Sequence, residues 1–516
     1  MQHSQSNILL IQLDQLSASK LECYENKVAI SPHISRLANQ GLVFERAYSN
    51  FPLCAPSRFS MLAGRLASHI GVYDNGSEFA ASIPTINHFL RAQGYQTCLV
   101  GKMHFVGPDQ LHGYETRLTT DIYPADFGWT GDWTEVTQKH SNNMLSFTQA
   151  GVCLRNPQME YDEEVTHHAE RKLFDLARSD DSRPFFLTVS MTHPHDPYQC
   201  SQEIWDLYRH DDIDMPAVSS LPEDLDDPYS KRLRLQYGLD SGELTEDMIR
   251  IARHAYYGSV SYADEQIGKI LRVLNQTGLD KNTVVVITSD HGDLLGERGL
   301  WYKKSFFEDS VRVPLIISGP EIKPGRVSQP VSLIDLAPTF NHIAGFKDGA
   351  SHSDNPDISA NLEGDNLLDI AQGTYPDRQV YSENLAEGAM APIVMVCGTR
   401  FKYIASGLDP EQLFDLQTDP QERNNIATDP DQQDTLSTMR KFCADMWNLD
   451  RLNQQVIESQ NQRLFIKSVL GPEASFQWDF EPSDQAAPHC LRPNQTYNEW
   501  AYNNVIGLNS NPARKS

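Results

Sequence analysis

The sequence has no long apolar run and few basic residues. Its first apolar run, residues 8–11, is four residues long and follows no cluster of positive charge, so it fits neither a signal peptide nor a membrane-spanning helix. The 43 lysines and arginines are outnumbered by 69 aspartates and glutamates, which gives a net charge of −26. This balance argues against nucleic acids and anionic membranes as partners and is compatible with a small cationic molecule. We expect a cytoplasmic protein.

Paired cysteines and repeats are also missing. Eight cysteines are scattered along the chain and no CxxC pair occurs, which indicates neither a disulfide framework nor a thiolate zinc site. No internal repeat or low-complexity segment is found. The 516 residues, 40% of them hydrophobic, are enough for a large core and two domains.

Four short apolar runs in the first 300 residues end in polar, chemically active side chains. We predict that the runs are buried parallel strands, at residues 7–13, 95–100, 185–189 and 283–288. The side chains that follow them are, in order, Asp14; Lys102 and His104; His193 and His195; Asp290 and His291. The carboxyl ends of parallel strands meet at one edge of an open α/β sheet, where ligands bind, so one polar site is expected there.

Helical spacing of apolar residues between these strands, at 165–177 and 267–274, favours an α/β sandwich with a mainly parallel sheet. The composition changes after about residue 345, where residues 347–364 read as a polar surface connection. Beyond it, strand candidates at meander spacing predict a small antiparallel sheet: residues 379–382, 393–397 and 401–404.

These patterns predict three parts of the chain. A catalytic α/β domain covers residues 1–370, and a smaller α+β domain with the antiparallel sheet covers 371–470. The tail, 471–516, is rich in aromatic residues, including Trp478 and Phe480, and is expected to pack on its own domain or on a neighbouring subunit.

Residues 49–65, SNFPLCAPSRFSMLAGR, are the centre of the functional prediction. Pro56 followed by an apolar-periodic run predicts a helix that begins near Cys54. Unpaired N–H groups at a helix N-terminus favour negative charge, and Arg58, about one turn on, adds a planar cation suited to oxyanions. Taken alone, Cys54 is more often a buried cysteine at the start of a helix.

The pattern Cys-x-Pro-x-Arg followed by Leu-x-Gly-Arg resembles the signature of the type I sulfatases, whose fold is that of the alkaline phosphatase-like superfamily. The resemblance implies that Cys54 is converted to formylglycine by a formylglycine-generating or sulfatase-maturing enzyme, so that the working group is an aldehyde hydrate. Residues 411–427 resemble the carboxy-terminal signature of the same family, a strand that leads to a turn and a helix.

The resemblance also implies a metal site made by Asp14, Asp290, His291 and an oxygen at position 54. Such an oxygen-rich set suits Ca²⁺ best, with Mg²⁺ or Mn²⁺ as alternatives. Many sulfatases carry an Asp-Asp pair and an Asp-Asn pair at these positions. Here Gln15 and His291 replace two of those groups, which leaves fewer anionic ligands.

Catalytic roles follow from the same resemblance. The metal and Arg58 hold the formylglycine hydrate at position 54, and one hydroxyl attacks sulfur to give a sulfated hemiacetal. Lys102 binds a sulfate oxygen, and His104 then removes a proton from the second hydroxyl so that sulfate leaves.

Proton donation to the leaving oxygen falls to His195 and Lys303. His195 lies in a Pro-His-x-Pro-Tyr motif, and Lys303 lies in GLWYKKSFFE. Lys304 is expected to be an exposed neighbour. Because an alkyl alcohol is a poor leaving group, this proton matters more than it would for a phenol.

Residues 101–129 resemble the corresponding stretch of the choline sulfatases, and similar agreement covers most of residues 1–320. This resemblance implies hydrolysis of choline sulfate to choline and sulfate. A quaternary ammonium offers no hydrogen-bond donor, so aromatic faces and carboxylates must hold it. Trp129 is the aromatic candidate, either Glu383 or Glu387 is the carboxylate, and Asn75 resembles a family position near the sulfate.

The choline sulfatases also build oligomers with their tails, which implies a homo-oligomer, a dimer or a tetramer, although residues 484–516 depart from the family. Two alternatives remain. One is another small alkyl or aryl sulfatase or a phosphonate monoester hydrolase. The other is a binding protein for a quaternary ammonium or sulfate in which Cys54 stays unmodified.

Overall fold

The computed structural model describes residues 5–133, 144–223, 225–239, 244–345, 361–386, 388–470 and 478–482. Within these ranges the chain forms an eight-stranded sheet, a four-stranded sheet and two smaller sheets, with helices packed around them. No helix in the described ranges is both long enough and apolar enough to cross a bilayer.

The large sheet is mainly parallel. Its strands, in spatial order, are β12 (Gly325–Val327), β2 (Leu42–Phe44), β11 (Leu315–Ser318), β9 (Thr283–Ser289), β1 (Asn7–Asp14), β7 (Phe185–Pro194), β4 (Gln96–Gly101) and β5 (Thr116–Arg117). Among these eight strands only β11 runs antiparallel to its neighbours. The α/β fold with a mainly parallel sheet that the sequence predicts is therefore confirmed.

The central strands are buried on both faces, which explains why they read as continuous apolar runs. All ten residues of β7 and all seven of β9 are buried, as are seven of the eight residues of β1. All four predicted strands exist, and β7 extends five residues beyond its predicted end at 189, as far as Pro194. His193 therefore belongs to the strand itself.

Helices cover the sheet. They are α1 (Pro32–Gln40), α2 (Cys54–Ala63), α3 (Ile86–Ala92), α4 (Leu145–Thr148), α5 (Pro157–Arg178), α6 (Gln202–Trp205), α7 (Pro228–Tyr237), α8 (Glu246–Gln276), α9 (Glu308–Val311), α10 (Leu336–Ile343), α11 (Leu367–Ala371), α12 (Gln433–Met446) and α13 (Leu449–Leu470). Both helices α5 and α8, which contain the two predicted amphipathic segments, pack on β7. Helix α2 begins at Cys54, as the sequence predicts.

The second sheet is antiparallel throughout, as expected. Its order is β14 (Val380–Asn384), β15 (Ile393–Cys397), β16 (Phe401–Ser406) and β17 (Gln412–Asp415). Helix α12 packs on β15 and β16. Strand β17 and turns occupy the predicted 411–427 signature, but the helix expected there begins only at Gln433.

Two small sheets complete the described chain. The first has the order β10 (Arg312–Val313), β3 (Ala47–Tyr48) and β13 (Val331–Ser332), and the second pairs β6 (Gly151–Val152) with β8 (Gln199–Cys200). The division at residues 370 and 470 stays a prediction.

Part of the tail packs back on the catalytic side of the molecule. Trp478 meets Phe127 edge to face, with ring centroids 5.3 Å apart, and the guanidinium of Arg117 lies 4.9 Å from the Phe480 ring centroid. The Ala125 N–H donates to Asp479 Oδ1 at 3.1 Å. The described piece of the tail therefore holds the chain that leads into residues 127–133.

Candidate active site

Four buried side chains from three elements converge at the carboxyl edge of the large sheet. Asp14 is the last residue of β1, Cys54 is the first residue of α2, and Asp290 and His291 directly follow β9. One ligand atom from each lies within 4.8 Å of the others. Cys54 Sγ is 3.2 Å from His291 Nε2 and 3.9 Å from Asp14 Oδ1. The four residues predicted to share a metal are therefore brought together.

This donor set fits a divalent cation. Two carboxylates supply negative charge, and His291 Nδ1 lies 3.0 Å from the Gly292 carbonyl oxygen, so Nδ1 carries the proton and Nε2 keeps its lone pair for a metal. Burial lowers the pKa of His291, which favours the neutral ligand form. Cys54 Sγ occupies the place of the aldehyde-hydrate oxygen that the sequence motif implies.

Arg58 joins the two carboxylates of this set. Its Nε donates to Asp290 Oδ2 at 2.8 Å and its Nη2 donates to Asp14 Oδ2 at 3.0 Å. The third guanidinium nitrogen, Nη1, donates to the Lys102 carbonyl oxygen at 2.9 Å and to Ser190 Oγ at 2.8 Å. Arg58 is completely buried. Its recorded hydrogen bonds therefore fix Asp14 and Asp290 against each other.

Gln15 points toward a different set of residues. Its Nε2 donates to Asp293 Oδ2 at 2.6 Å, and its Oε1 accepts from Lys303 Nζ at 2.5 Å. It is not part of the four-residue cluster. Gln15 therefore orients Lys303 and does not take part in the predicted metal site.

Lys303 and His195 form a buried pair. Lys303 Nζ lies 2.6 Å from His195 Nε2, and His195 Nδ1 lies 2.7 Å from the Asp196 carbonyl oxygen. Burial opposes the charge on Lys303, but the acidic groups of Cys54, Asp196 and Asp14 raise its pKa above the ordinary value. Lys303 therefore stays protonated and donates to the imidazole.

Lys102 lies against the metal cluster. Its Nζ contacts Asp14 Oδ2 and lies 4.2 Å from the centroid of the Tyr123 ring. Burial opposes the charge on Lys102, but Asp14 and Cys54 raise its pKa. Burial would raise the pKa of Asp14, yet Lys102, His195 and Arg58 hold it well below its usual range. Lys102 therefore stays positively charged and Asp14 stays negatively charged.

His104 is buried, and neither of its ring nitrogens has a hydrogen-bond partner among the described residues. Burial and the nearby Lys102 lower its pKa to about 3, so the ring is neutral. A buried polar ring without partners is costly unless a ligand supplies them. Both ring nitrogens of His104 are therefore available to contact a ligand.

Aromatic side chains flank His104. The Trp129 ring meets His104 at a centroid distance of 5.1 Å and an interplanar angle of 80°, and meets Tyr123 at 4.8 Å and 65°. Tyr123 also lies 5.0 Å from His104 and 6.3 Å from His195. The predicted Trp129 therefore lies beside the cluster, together with Tyr123, which was not predicted.

Asn75 lies at the start of α2. Its Oδ1 accepts from the Ala55 N–H at 3.0 Å, so it occupies a backbone donor in the first turn of the helix that presents position 54. Asn75 is half-buried. It therefore lies beside position 54, and its proximity to a bound sulfate stays a prediction.

Of the two predicted glutamates, only Glu383 lies within the described part of the chain. Glu387 lies outside the described residues. Glu383 is buried, and its oxygens accept from the Ser68 N–H at 2.9 Å, from Ser68 Oγ and from Trp447 Nε1 at 2.6 Å. Its recorded bonds therefore join α12 and the second sheet to the loop after α2.

One expectation about the lysines is wrong. Lys304 is buried, at 1% exposure, and its Nζ lies 5.4 Å from the Tyr237 ring centroid. Its carbonyl oxygen accepts from Tyr229 Oη and Asn384 Nδ2. Lys304 is therefore a buried packing residue between helix α7 and strand β14 of the second sheet.

Solved structures share this architecture. The chain aligns with a phosphonate monoester hydrolase of Agrobacterium radiobacter at a TM-score of 0.67 and 20% identity, over 88% of this chain and 96% of that chain. It aligns with a 2-O GAG sulfatase at a TM-score of 0.65 and 22% identity, over 90% and 94% of the two chains. The fold is therefore the alkaline phosphatase-like α/β architecture of these hydrolases.

Sequence comparison shows which family of hydrolases with this fold the chain belongs to. The sulfatase family profile matches residues 6–346, and the profile of the N-sulphoglucosamine sulphohydrolase C-terminal region matches 296–448. Choline-sulfatase of Rhizobium meliloti (strain 1021) is 41% identical over 94% of this chain and 95% of its own length. Human iduronate 2-sulfatase is 31% identical over 66% of this chain and 69% of its own length. The chain belongs to the sulfatase family and is a sulfuric ester hydrolase.

Proposed function

We propose that this enzyme hydrolyses choline sulfate to choline and sulfate. The observation that carries the proposal is the pair of aromatic rings, Tyr123 and Trp129, that lies against His104 and Lys102 at the edge of the metal cluster. Electron-rich ring faces attract a quaternary ammonium, which offers no hydrogen-bond donor. A relative that shares 41% identity is a choline-sulfatase, which supports the same substrate.

The sulfate group is proposed to bind between the cations and position 54. Lys102 and Lys303 carry positive charge into a buried site, where charge is worth more than in water. Asn75 offers its amide beside position 54. With formylglycine at this position, the residue would supply a hydroxyl nucleophile. Asp14, Asp290 and His291 would hold a cation, most simply Ca²⁺, with Mg²⁺ or Mn²⁺ as alternatives, and this ion would supply Lewis-acid chemistry beside position 54.

Proton movements are assigned to two side chains, and a third positions the metal ligands. Lys303, which holds His195 at 2.6 Å, donates toward the leaving choline oxygen. His104, whose ring nitrogens have no hydrogen-bond partner among the described residues, is the proposed acceptor of the proton from the group at position 54. Arg58 acts through Asp14 and Asp290, so it is a positioning residue for the metal ligands.

A carboxylate near the ammonium is proposed to complete the site. Glu383 already accepts hydrogen bonds at both of its oxygens, from Ser68 and Trp447. A carboxylate that is satisfied in this way has little left to offer a ligand. Glu387 therefore becomes the better of the two candidates.

Three further properties stay predictions from the sequence. These are a homo-oligomer, dimer or tetramer, a cytoplasmic location, and maturation of Cys54 by a formylglycine-generating or sulfatase-maturing enzyme. Mass spectrometry of the peptide that contains Cys54, in protein from the native host, checks the maturation. An unmodified thiol there would favour a binding protein over this mechanism.

The substrate is tested with four esters under saturating metal. They are choline sulfate, its neutral isostere in which carbon replaces the ammonium nitrogen, nitrophenyl sulfate, and a phosphonate monoester. We expect kcat/KM for choline sulfate to exceed that for the isostere by about tenfold or more, because the two differ only in the charge that the rings recognise. A preference for the aryl sulfate or for the phosphonate ester would contradict the proposal.

A further inference from the structure

Helix α13 lies beyond both family matches, which end at residues 346 and 448. It is nevertheless tied to the active-site side of the molecule. Arg463 forms a bidentate pair with Asp74, with Nη1–Oδ1 and Nη2–Oδ2 distances of 2.5 and 2.9 Å. The side chains of Arg463 and Asp74 are 7% and 0% exposed. This buried pair connects residues 389 positions apart in the chain.

One face of α13 follows the loop of residues 128–133. Gln460 Oε1 accepts from the Trp133 N–H at 3.1 Å, and Lys467 Nζ donates to the Gly128 carbonyl at 3.0 Å. Between them, Arg463 Nη1 donates to Thr130 Oγ1 at 3.0 Å. Positions 460, 463 and 467 share one helix face, so these bonds hold the loop along two helical turns.

That loop contains Trp129. The Gly131 N–H donates to Asp74 Oδ2 at 3.2 Å, so the carboxylate that binds Arg463 also holds the loop just past Trp129. The Gly76 N–H donates to Asp74 Oδ1 at 3.0 Å, on the other side of Asn75. Asp74 and its partner on α13 therefore fix both the aromatic ring and Asn75.

We propose that α13 sets the preference of this enzyme for a cationic ester, with Arg463 as the positioning residue. Arg463 holds Asp74 and Thr130, and so fixes the angle at which Trp129 meets His104 and the ammonium. This proposal rests on the proposed function, because it assigns the source of the preference for the charged substrate. A merely structural role for Arg463 would affect charged and neutral esters alike.

The test compares four variants of the full chain with wild type. Arg463→Met removes every hydrogen bond of the guanidinium, and Arg463→Lys keeps its charge without the two parallel bonds. Lys467→Met changes an exposed residue, so it preserves the fold even if the buried substitution does not. Arg451→Met is the matched control, because Arg451 is an exposed arginine at the other end of the same helix.

The quantity measured is the ratio of kcat/KM for choline sulfate to kcat/KM for its neutral carbon isostere. This ratio does not depend on the fraction of folded enzyme, so partial unfolding does not change it. We expect a decrease of about tenfold in Arg463→Met, mainly through KM for choline sulfate, about threefold in Lys467→Met, partial recovery in Arg463→Lys, and no change in Arg451→Met.

Two results would overturn the proposal in different ways. A wild-type ratio near one would contradict the proposed function and this inference together. A high wild-type ratio that Arg463→Met and Lys467→Met retain would contradict the inference alone, because Trp129 would then be positioned without α13. An equal loss of turnover on both esters would also contradict the inference alone, because it leaves the ratio unchanged.

Discussion

Lys303 and His195 are far apart in the sequence but meet in the buried site, where we propose that they act together as one proton donor. The charge on Lys303 is maintained by acidic neighbours although the residue is buried, and its contact with His195 Nε2 requires that this nitrogen carry no proton. Gln15 Oε1 accepts a second Lys303 proton. We propose that the third proton of the ammonium goes to the leaving oxygen.

Lys303→Met tests this assignment through the leaving group. We expect kcat/KM for choline sulfate to fall by about 10² to 10⁴-fold. Without a proton donor, the choline oxygen would have to depart as an alkoxide, which is a poor leaving group. The fall for nitrophenyl sulfate is expected to be less than about tenfold, because nitrophenolate is a stable anion. Lys323→Met, at an exposed position, is the control. Equal losses on both esters would argue that Lys303 only binds sulfate.

At the scale of the element, the end of β4 decides where Lys102 points. Gly101 has a φ of +107°, and a Cβ atom there would lie 1.9 Å from the Ser190 carbonyl oxygen on β7. Lys102 continues the hydrogen bonding between β4 and β7, because its N–H donates to the Ser190 carbonyl oxygen at 3.0 Å. Only glycine allows the strand to turn so close to its neighbour.

Gly101→Ala is therefore expected to lower the free energy of unfolding by about 3 kcal/mol or more, from backbone strain and from the clash with β7. Gly94→Ala is the matched control. Gly94 also has a positive φ, +87°, but nothing lies within 4 Å of its Cβ position, so only about 1 kcal/mol is expected. Urea unfolding measures both. Equal costs would show that the approach to Ser190 does not matter.

At the scale of the whole molecule, the buried metal cluster joins β1, α2 and the chain after β9 at the carboxyl edge of the large sheet. Two carboxylates are held close together there, with Arg58 as a shared partner. A bound cation would add charge compensation at this junction. Stability and activity should therefore depend on the same ion.

Removal of metal tests this dependence. We expect chelation to abolish turnover and to lower Tm by a few degrees, since a ligand at a hundredfold excess over its Kd stabilises by about 3 kcal/mol. Ca²⁺, Mg²⁺ and Mn²⁺ are then added back one at a time, and the ion that restores both is the resident one. Asp14→Asn should show no metal-dependent shift. A wild-type Tm that chelation leaves unchanged would contradict a structural ion.

The sequence alone determined the fold class and the residues of the metal cluster. Short continuous apolar runs are typical of strands in a sheet covered on both faces, and parallel strands bring Asp14, Lys102 and Asp290 to one edge. The helix start at Cys54 was also readable, because Pro56 favours the first turn. These signals are local, so they needed no knowledge of the packing.

Only the tertiary structure decided which other groups serve the site. Tyr123 belongs to the stretch that resembled the choline sulfatases, yet nothing in its neighbours showed that its ring would meet Lys102. Arg463 and Asp74 are a still clearer case, since contacts across hundreds of residues leave no periodic trace in the chain. Lys304 was misread for the same reason. Burial of a charge depends on partners that distant elements supply, and packing alone brings those partners together.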